Sequence, residues 1–368
     1  MAARLPTERS ERRRFGLGLE KFSAIYIWVL FIVVFGVWTP GTFLTVSTLH
    51  SVASSQAAGA MLALAVLVPL AAGAYDLSVG AVINLSAVLA ILLQSQDGMN
   101  MWEAIVITLL VCVAIGVVNG FIVVRMHINP FIATLGTTAV IEALQSIVTK
   151  DAQPIPASGQ SWIDLSQKTF LGFQMIFWYL LVLALIIWWV MELTPAGRYM
   201  YAVGGNAEAA RLAGVRVGMW TWLPLVASAF LSGIAGIFYG SLTGPALDFG
   251  PGLLLPAFAA VFLGSTQIQP GKPNVWGTLI AVFVLATGVQ GLQLVTGVQW
   301  LNNMFSGCAL IGAVGFAVWR QRRGIGADMG GRLRLRRRTD RPSAGESGSR
   351  LAASGGEQDA STGLGITS

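Results

Sequence analysis

Ionisable side chains are scarce in the apolar part of this chain, and Asp76 is the most costly of them. It lies in residues 75–80 (YDLSVG), between two long apolar runs. An aspartate near the centre of a membrane helix costs about 2.5–3.5 kcal/mol, so it needs a compensating role. Asp76 could be a ligand or proton site, or Asp76 or Ser78 could cap a helix break by binding freed amides. We favour the cap, because proton-coupled carriers usually contain a relay of ionisable groups.

Glu142 is the second ionisable residue within an apolar span. It either lines a pathway or pairs with a polar neighbour such as Gln145, and the sequence does not separate these interpretations. Other polar side chains in the apolar spans suit a hydroxyl-rich solute, although packing between helices is the expected role of most. The candidate residues for a pathway or a helix break are Asp76, Ser78, Asn84, Asn119, Thr134, Glu142 and Gln145.

Motifs for covalent or hydrolytic chemistry are missing from the sequence. It contains no HExxH, no CxxC and no convincing Ser/His/Asp or Cys/His set. The nearest approach to a phosphate loop is 264–272, where the spacing is wrong and Lys272 is followed by Pro273, so there is no Walker A motif. We therefore predict that the chain is not an enzyme and has no catalytic residues, no metal site and no cofactor of its own.

Composition places these residues in a membrane. Of the 368 residues, 55% are hydrophobic and only 11% are charged, whereas soluble domains carry about 25% charged residues. The arginines cluster at 12–14 and 320–338, beside the first and last apolar spans. That is the pattern of cytoplasmic anchors, and it does not indicate nucleic-acid binding. We predict an all-α polytopic membrane protein in contact with lipid.

About ten transmembrane helices are expected, separated by polar or Gly/Pro-rich turns. The predicted spans are 22–38, 52–72, 77–95, 103–124, 130–149, 172–193, 219–242, 253–267, 274–295 and 300–319. Ten crossings place the basic turns and both termini on the cytoplasmic side. Five spans in each half allow an inverted five-plus-five repeat, as in many transporters. The predicted domains are a basic tail (1–20), a membrane domain (21–319) and a basic, then disordered, tail (320–368).

The loop 194–217 is too polar and too rich in glycine to lie in hydrocarbon. It contains a short helix with both ends marked. Asn206 can cap its N-terminus, Glu208 lies in its first turn, Arg211 in its last, and Gly214 can end it. So short a helix is not stable alone, because nucleation costs more than its few hydrogen bonds return. We therefore expect it to be held by other structure.

Three segments together resemble the permease subunits of bacterial ATP-binding-cassette sugar importers, in particular the ribose, xylose, arabinose and galactose branch. They are 76–80 (DLSVG), 129–136 (NPFIATLG) and 197–215 (GRYMYAVGGNAEAARLAGV). The resemblance covers about residues 22–319. It implies a location in the bacterial cytoplasmic (inner) membrane. The implied partners are a second permease subunit, a cytoplasmic double-cassette ATPase that uses the ATP, and an extracytoplasmic sugar-binding protein.

The resemblance also assigns a role to the central loop, which in this family carries the coupling helix that contacts the ATPase. The residues assigned to coupling are Gly197, Arg198, Gly204, Gly205, Asn206, Glu208, Arg211 and Gly214. The leading hypothesis is a permease that moves a monosaccharide by alternating access. One alternative is import of another small polar solute, such as a nucleoside or an autoinducer, through the same architecture. A less favoured alternative is a proton-coupled secondary carrier.

Overall fold

The computed structural model describes residues 23–157, 159–298, 300–301, 304–312 and 315. Both predicted tails and eight of the twenty residues of the tenth predicted span lie outside these residues. The described chain is almost entirely helical. Its helices are α1 (Ser23–Trp38), α2 (Val46–Ser55), α3 (Ala57–Ala71), α4 (Val79–Ser95), α5 (Met101–Arg125), α6 (Pro130–Thr149), α7 (Gln160–Gln167), α8 (Met175–Trp188), α9 (Pro195–Gly205), α10 (Ala207–Leu212), α11 (Val217–Thr243), α12 (Gly250–Gly264) and α13 (Val275–Thr296), and further helical residues lie at 304–312.

The apolar helices confirm the all-α polytopic architecture. Five of the described helices are long and apolar enough to cross a membrane: α5, α6, α11, α13 and α8 with the π-helical turn Trp189–Leu193 that follows it. Shorter apolar helices (α1, α4 and α12) and the pair α2–α3 account for the other predicted spans up to residue 295.

The second predicted span, 52–72, is wrong as a single straight helix. The structure starts it earlier, at Val46, and bends it by 40° where α2 meets α3. Thr45 caps the start, because its side chain accepts a hydrogen bond from the amide of Thr48 (3.1 Å). Residues 54–57 (SSQA) contain no proline or glycine, so the bend has no marker in the sequence.

Short elements in the polar loops were also missed by sequence reasoning. The loop 150–170 contains α7, and Thr169–Phe170 then pairs antiparallel with Phe173–Gln174. Polar bonds tie α7 to α11: the hydroxyl of Ser166 donates to the carbonyl of Phe238 (2.9 Å), and that of Ser241 to the carbonyl of Trp162 (2.6 Å). In the central loop, one helix was predicted and two are present, because α9 precedes α10.

The centre of the fold is formed by α3, α4 and α11. Nearly every side chain of α3 and α4 is buried, and α11 packs against α3, α4 and α5. Small residues allow this close approach: a Cβ on Gly236 of α11 would overlap the Ser86 hydroxyl and the Ile83 carbonyl of α4. Small residues at helix contacts are the usual means of tight packing in membranes. The polar residues described next lie on α4 and α11, in the break between α3 and α4, and on the neighbouring helices α5 and α6.

Candidate functional site

The carboxylate of Asp76 accepts hydrogen bonds at the break between α3 and α4. Its Oδ1 accepts hydrogen bonds from the amide of Ser78 (3.0 Å) and from the Ser78 hydroxyl (2.6 Å). Its Oδ2 accepts a hydrogen bond from the hydroxyl of Ser228, near the middle of α11. All three residues are fully or almost fully buried. The carboxylate therefore binds the amide of the residue that precedes α4, as expected for Asp76 at a helix break. The expectation that Ser78 caps α4 is wrong, because its hydroxyl donates to Asp76 and the side chain of this N-cap residue accepts no hydrogen bond from the first turn of α4.

Two further helices contribute to this network. Asn119 of α5 donates from Nδ2 to the Ser78 hydroxyl (2.9 Å), and Thr134 of α6 accepts from the amide of Leu77 (3.0 Å). The Asp76 network (Asp76, Ser78, Asn119, Thr134 and Ser228) thus joins the break to α5, α6 and α11. The side-chain oxygens of Asp76, Ser78, Ser228 and Thr134 bond to protein groups, whereas the buried Oδ1 of Asn119 has no hydrogen-bond partner among the described residues. None of the five residues lines one of the cavities described below. This arrangement fixes backbone geometry rather than presenting a binding surface.

A second polar cluster lies at the opposite end of α11 from the central loop. Asn84 of α4 donates to Gln145 Oε1 of α6 (2.8 Å), and its Oδ1 accepts from the amide of Phe249 (3.0 Å). Gln145 Nε2 in turn donates to the carbonyl of Leu247 (2.7 Å), to which Asn84 Nδ2 also donates. The two amide side chains thus clamp the loop that leads into α12.

A cavity of about 330 Å³ opens beside this clamp, and we call it the polar cavity. Its lining residues are Ala81, Asn84, Glu142, Gln145, Ser146, Thr149, Asp151, Leu247, Asp248 and Pro251. The partners of Gln145 are Asn84 and Leu247, so pairing with Glu142 is not what fixes its side chain.

Glu142 is exposed although it lies within the membrane-length helix α6. A charged side chain facing lipid at the bilayer centre costs about 2.5–3.5 kcal/mol on insertion scales. This face of α6 is therefore expected to border water or protein instead of acyl chains. Of the two interpretations left open by the sequence, the position at the wall of the polar cavity favours the pathway.

The central loop is an ordered pair of helices. Asn206 separates them, and its Oδ1 accepts from the amide of Ala209 (3.0 Å), so the predicted N-cap of α10 is present. Glu208 and Arg211 form an exposed ion pair of 2.7 Å. Gly214 follows α10 with a φ of 84°, a value that glycine adopts at no steric cost. The side chains of Glu208 and Arg211 are therefore on the exposed face of α10, where another molecule could contact them.

Helix α9 anchors α10 to the rest of the fold. At its start, a Cβ on Gly197 would overlap the backbone of Met191. In its middle, the Tyr201 hydroxyl donates to the carbonyl of Pro273 (2.7 Å), in the loop before α13. Burial, reinforced by nearby Glu192, raises the pKa of the Tyr201 phenol well above its usual range, so this donor keeps its proton at physiological pH.

One residue of the loop that sequence reasoning missed is Leu212. It ends α10 and is 81% exposed, beside the exposed Glu208–Arg211 pair. A single exposed leucine is ordinary on a surface. Met200 and Val203 of the same loop are buried, so the exposure of Leu212 distinguishes it from them. Its position next to the predicted coupling residues Glu208 and Arg211 was the available signal.

Among the described residues, no group of three or more His, Cys, Asp and Glu side chains is placed to hold a metal ion. The polar residues instead form two separate sets: a closed network at the helix break and an open cavity at the far end. Together with the membrane-length helices, they define a polytopic membrane protein with polar groups along its interior, which is the class of transport permeases.

Comparison with known proteins identifies the family to which the chain belongs. The profile of the family described as "Branched-chain amino acid transport system / permease component" matches residues 48–314, so the chain belongs to this permease family. It is a multi-pass protein of the bacterial inner membrane. The match contains both polar sets and the central loop, and it confirms the resemblance to importer permeases.

Curated relatives include three permeases with named solutes. The D-allose transport system permease protein of Escherichia coli is 26% identical over 84% of this chain and 96% of its own length. The ribose import permease protein of Haemophilus influenzae is 29% identical over 75% of this chain and 87% of its own. An autoinducer 2 import system permease protein of Salmonella typhi is 31% identical over 74% of this chain and 79% of its own.

Proposed function

We propose that this chain is the permease subunit of an ATP-binding-cassette importer that carries a monosaccharide across the inner membrane by alternating access. The observation that carries the proposal is the polar cavity within a chain of this permease family. Its wall presents amide, hydroxyl and carboxylate groups, which are the hydrogen-bonding partners of a hydroxyl-rich solute. The relatives named for D-allose and ribose support the same class of cargo.

The family description names branched-chain amino acids, and the cavities argue against that cargo here. The larger cavity, about 500 Å³, is lined mainly by apolar residues such as Trp28, Phe43 and Phe283, but it lies between α1, α2 and α13 and is separate from the polar cavity. An aliphatic side chain would find few apolar partners among the carboxylates and amides of the polar cavity. Another small polar solute is the second candidate, which the relative named for autoinducer 2 favours.

Membership of this permease family and the lack of a Walker A motif in the sequence together support an energy source in another protein. We assign the ATPase contact to α10, with Glu208, Arg211 and Leu212 on its exposed surface. A second permease copy or homologue would cover the exposed face of α6 that carries Glu142. An extracytoplasmic binding protein would deliver the solute to the end of the fold that carries the polar cavity.

Reconstituted uptake tests this function. We expect proteoliposomes that contain the chain, its co-expressed cassette ATPase and the exported binding protein encoded with them to accumulate a radiolabelled sugar when ATP is supplied on the ATPase side. Ribose, D-allose, autoinducer 2 and leucine form the panel that separates the candidate cargoes. Uptake that persists without the ATPase and follows a proton gradient would refute the proposal.

Replacement of Glu142 tests the assignment of the cavity. Because the side chain is exposed in the single subunit, we expect Glu142→Leu to leave the melting temperature of the isolated permease subunit within about 2 °C of the parent. Solute uptake should fall about tenfold, since one hydrogen-bonding group of the pathway is lost, corresponding to about 1.4 kcal/mol. Glu142→Gln keeps the size and hydrogen-bonding capacity, so uptake of a neutral sugar should stay within about threefold of the parent.

A neighbouring residue provides the control for this experiment. Val140 is exposed on α6 and does not line the polar cavity, so Val140→Ala should transport like the parent. Normal uptake in Glu142→Leu would show that the cavity is not on the solute pathway.

A further inference from the structure

The end of α9 and the end of α3 approach each other closely at two glycines, where backbone lies against backbone. A Cβ on Gly204 would overlap the carbonyl oxygen of Ala71 and lie 3.0 Å from the amide nitrogen of Gly73. From the other side, a Cβ on Gly73, whose φ is +78°, would lie 3.2 Å from the Cα of Gly204. We call this contact the glycine joint. It leaves no space for a side chain on either glycine.

The joint lies between two features already assigned to transport. On one side, only Gly205 and the capping residue Asn206 separate Gly204 from the exposed helix α10. On the other, Gly73 belongs to the unwound segment that carries Asp76, three positions further along the chain. A displacement of α10 by a partner therefore has a short path to the Asp76 network.

The segment on the far side of the joint is stiff. The amide of Gly73 donates to the carbonyl of Leu70 (3.0 Å) and that of Ala74 to the carbonyl of Pro69 (2.9 Å), which ends α3 in a closed turn. Asp76 then fixes the start of α4 to α11 through Ser228. Because backbone is packed on backbone, a shift at Gly204 is not absorbed by side-chain rotation.

We propose that the glycine joint transmits movement of α10 to the Asp76 network, which makes Gly204 a positioning residue for transport. This inference rests on the proposed function, because it assumes that an ATPase acts on α10. Contacts at Met191, Trp220 and Pro273 hold the start and middle of α9 to the π-helical turn, to α11 and to the loop before α13. The joint is the contact at the end of α9 that adjoins α10, where the movement enters.

Thiol labelling of the assembled complex tests the joint without knowledge of the solute. Cys112 is buried and Cys308 is exposed, so Cys308→Ser removes the accessible native thiol. Ser146→Cys then places a reporter on the exposed wall of the polar cavity. In this parent, with its co-expressed cassette ATPase, we expect ATP and vanadate to change the maleimide labelling rate about tenfold, a typical size for coupling between sites.

Gly204→Ala adds one methyl group at the joint. We expect the nucleotide-dependent change in labelling to fall below about twofold, while the ATPase still co-purifies and hydrolyses ATP. Gly307→Ala is the matched control, since it adds the same methyl group to a helical glycine with nothing within 4 Å of the new Cβ. It should keep the full tenfold change of the parent.

A second variant leaves the packing of the joint intact. Two glycines inserted between Gly205 and Asn206 loosen the connection to α10, so the labelling change should again be lost while the melting temperature stays at the parent value. A full labelling change in either variant would overturn the inference. Failure of Gly204→Ala to assemble with the ATPase would also overturn it, because the joint would then serve assembly. If the parent itself shows no nucleotide effect, the proposed function fails instead.

Discussion

Asp76→Ala is expected to unfold the complex about 5–10 °C below the parent and to abolish uptake. The substitution removes the acceptor of three hydrogen bonds in a fully buried site, from the Ser78 amide, the Ser78 hydroxyl and the Ser228 hydroxyl. Buried donors left without a partner cost about 1–3 kcal/mol each. The Ser228 hydroxyl can still donate to the carbonyl of Leu225, at 2.9 Å, so the total loss should be about 2–4 kcal/mol. Thermal unfolding followed by size-exclusion chromatography measures it.

Asp76→Asn provides the decisive comparison. The amide oxygen of asparagine can accept both bonds from Ser78, and its NH₂ group can donate to Ser228 once that hydroxyl rotates toward Leu225. Every hydrogen bond is then kept, so we expect a loss of less than about 1 kcal/mol and uptake within about threefold of the parent. Complete loss of uptake in a stable, assembled Asp76→Asn complex would contradict the capping role and favour a proton or ligand site.

Leu212→Asp is expected to separate the permease from its ATPase without affecting the membrane fold. The side chain is 81% exposed, so the substitution should leave the melting temperature of the isolated permease unchanged. If the ATPase covers Leu212, the complex loses about 2–3 kcal/mol of apolar burial and gains an unpaired charge. Affinity should therefore fall at least about 30-fold, since 1.4 kcal/mol is tenfold. Co-purification and surface plasmon resonance with the purified ATPase measure this effect.

The control for Leu212 keeps the apolar volume. Leu212→Met should bind the ATPase within about tenfold of the parent, because volume-conserving apolar exchanges usually cost less than 1.5 kcal/mol. Equal affinity of Leu212→Asp and Leu212→Met would show that the ATPase does not cover this residue. The coupling role would then have to lie on other exposed residues of the loop, such as Glu208, for which charge reversal in Glu208→Lys is the direct test.

Sequence patterns predicted the membrane helices well because each helix needs a long apolar run. The polar, glycine and proline residues between these runs mark where each helix ends. The ends of α10 were also predictable from the sequence, because Asn206, Glu208 and Gly214 are residue types with strong preferences for particular positions at helix ends. The short helix α7 and helix α9 were missed. Both are stabilised mainly by contacts with distant parts of the chain, such as Trp162 with Ser241 and Tyr201 with Pro273.

The contacts of the site residues also divide into local ones, which were predictable from the sequence, and long-range ones, which were not. Asp76 and Ser78 are close in sequence, so a hydrogen bond between them was predictable from local spacing. Ser228 is 152 positions away and had no local signal. Asn84 and Gln145 were recognised only as polar residues in apolar helices. Their shared clamp on Leu247 depends on how α4 and α6 pack, and no periodicity in either helix specifies that contact.

The glycine joint has a consequence for how such a chain can diverge. A contact made of backbone atoms requires only that Gly204 and Gly73 have no side chain, and it places no demand on the chemistry of the residues around them. Neighbouring positions are then free to accept substitutions that suit a different cargo or a different membrane. Most of the sequence could therefore change while two glycines preserved the same close approach of backbone to backbone.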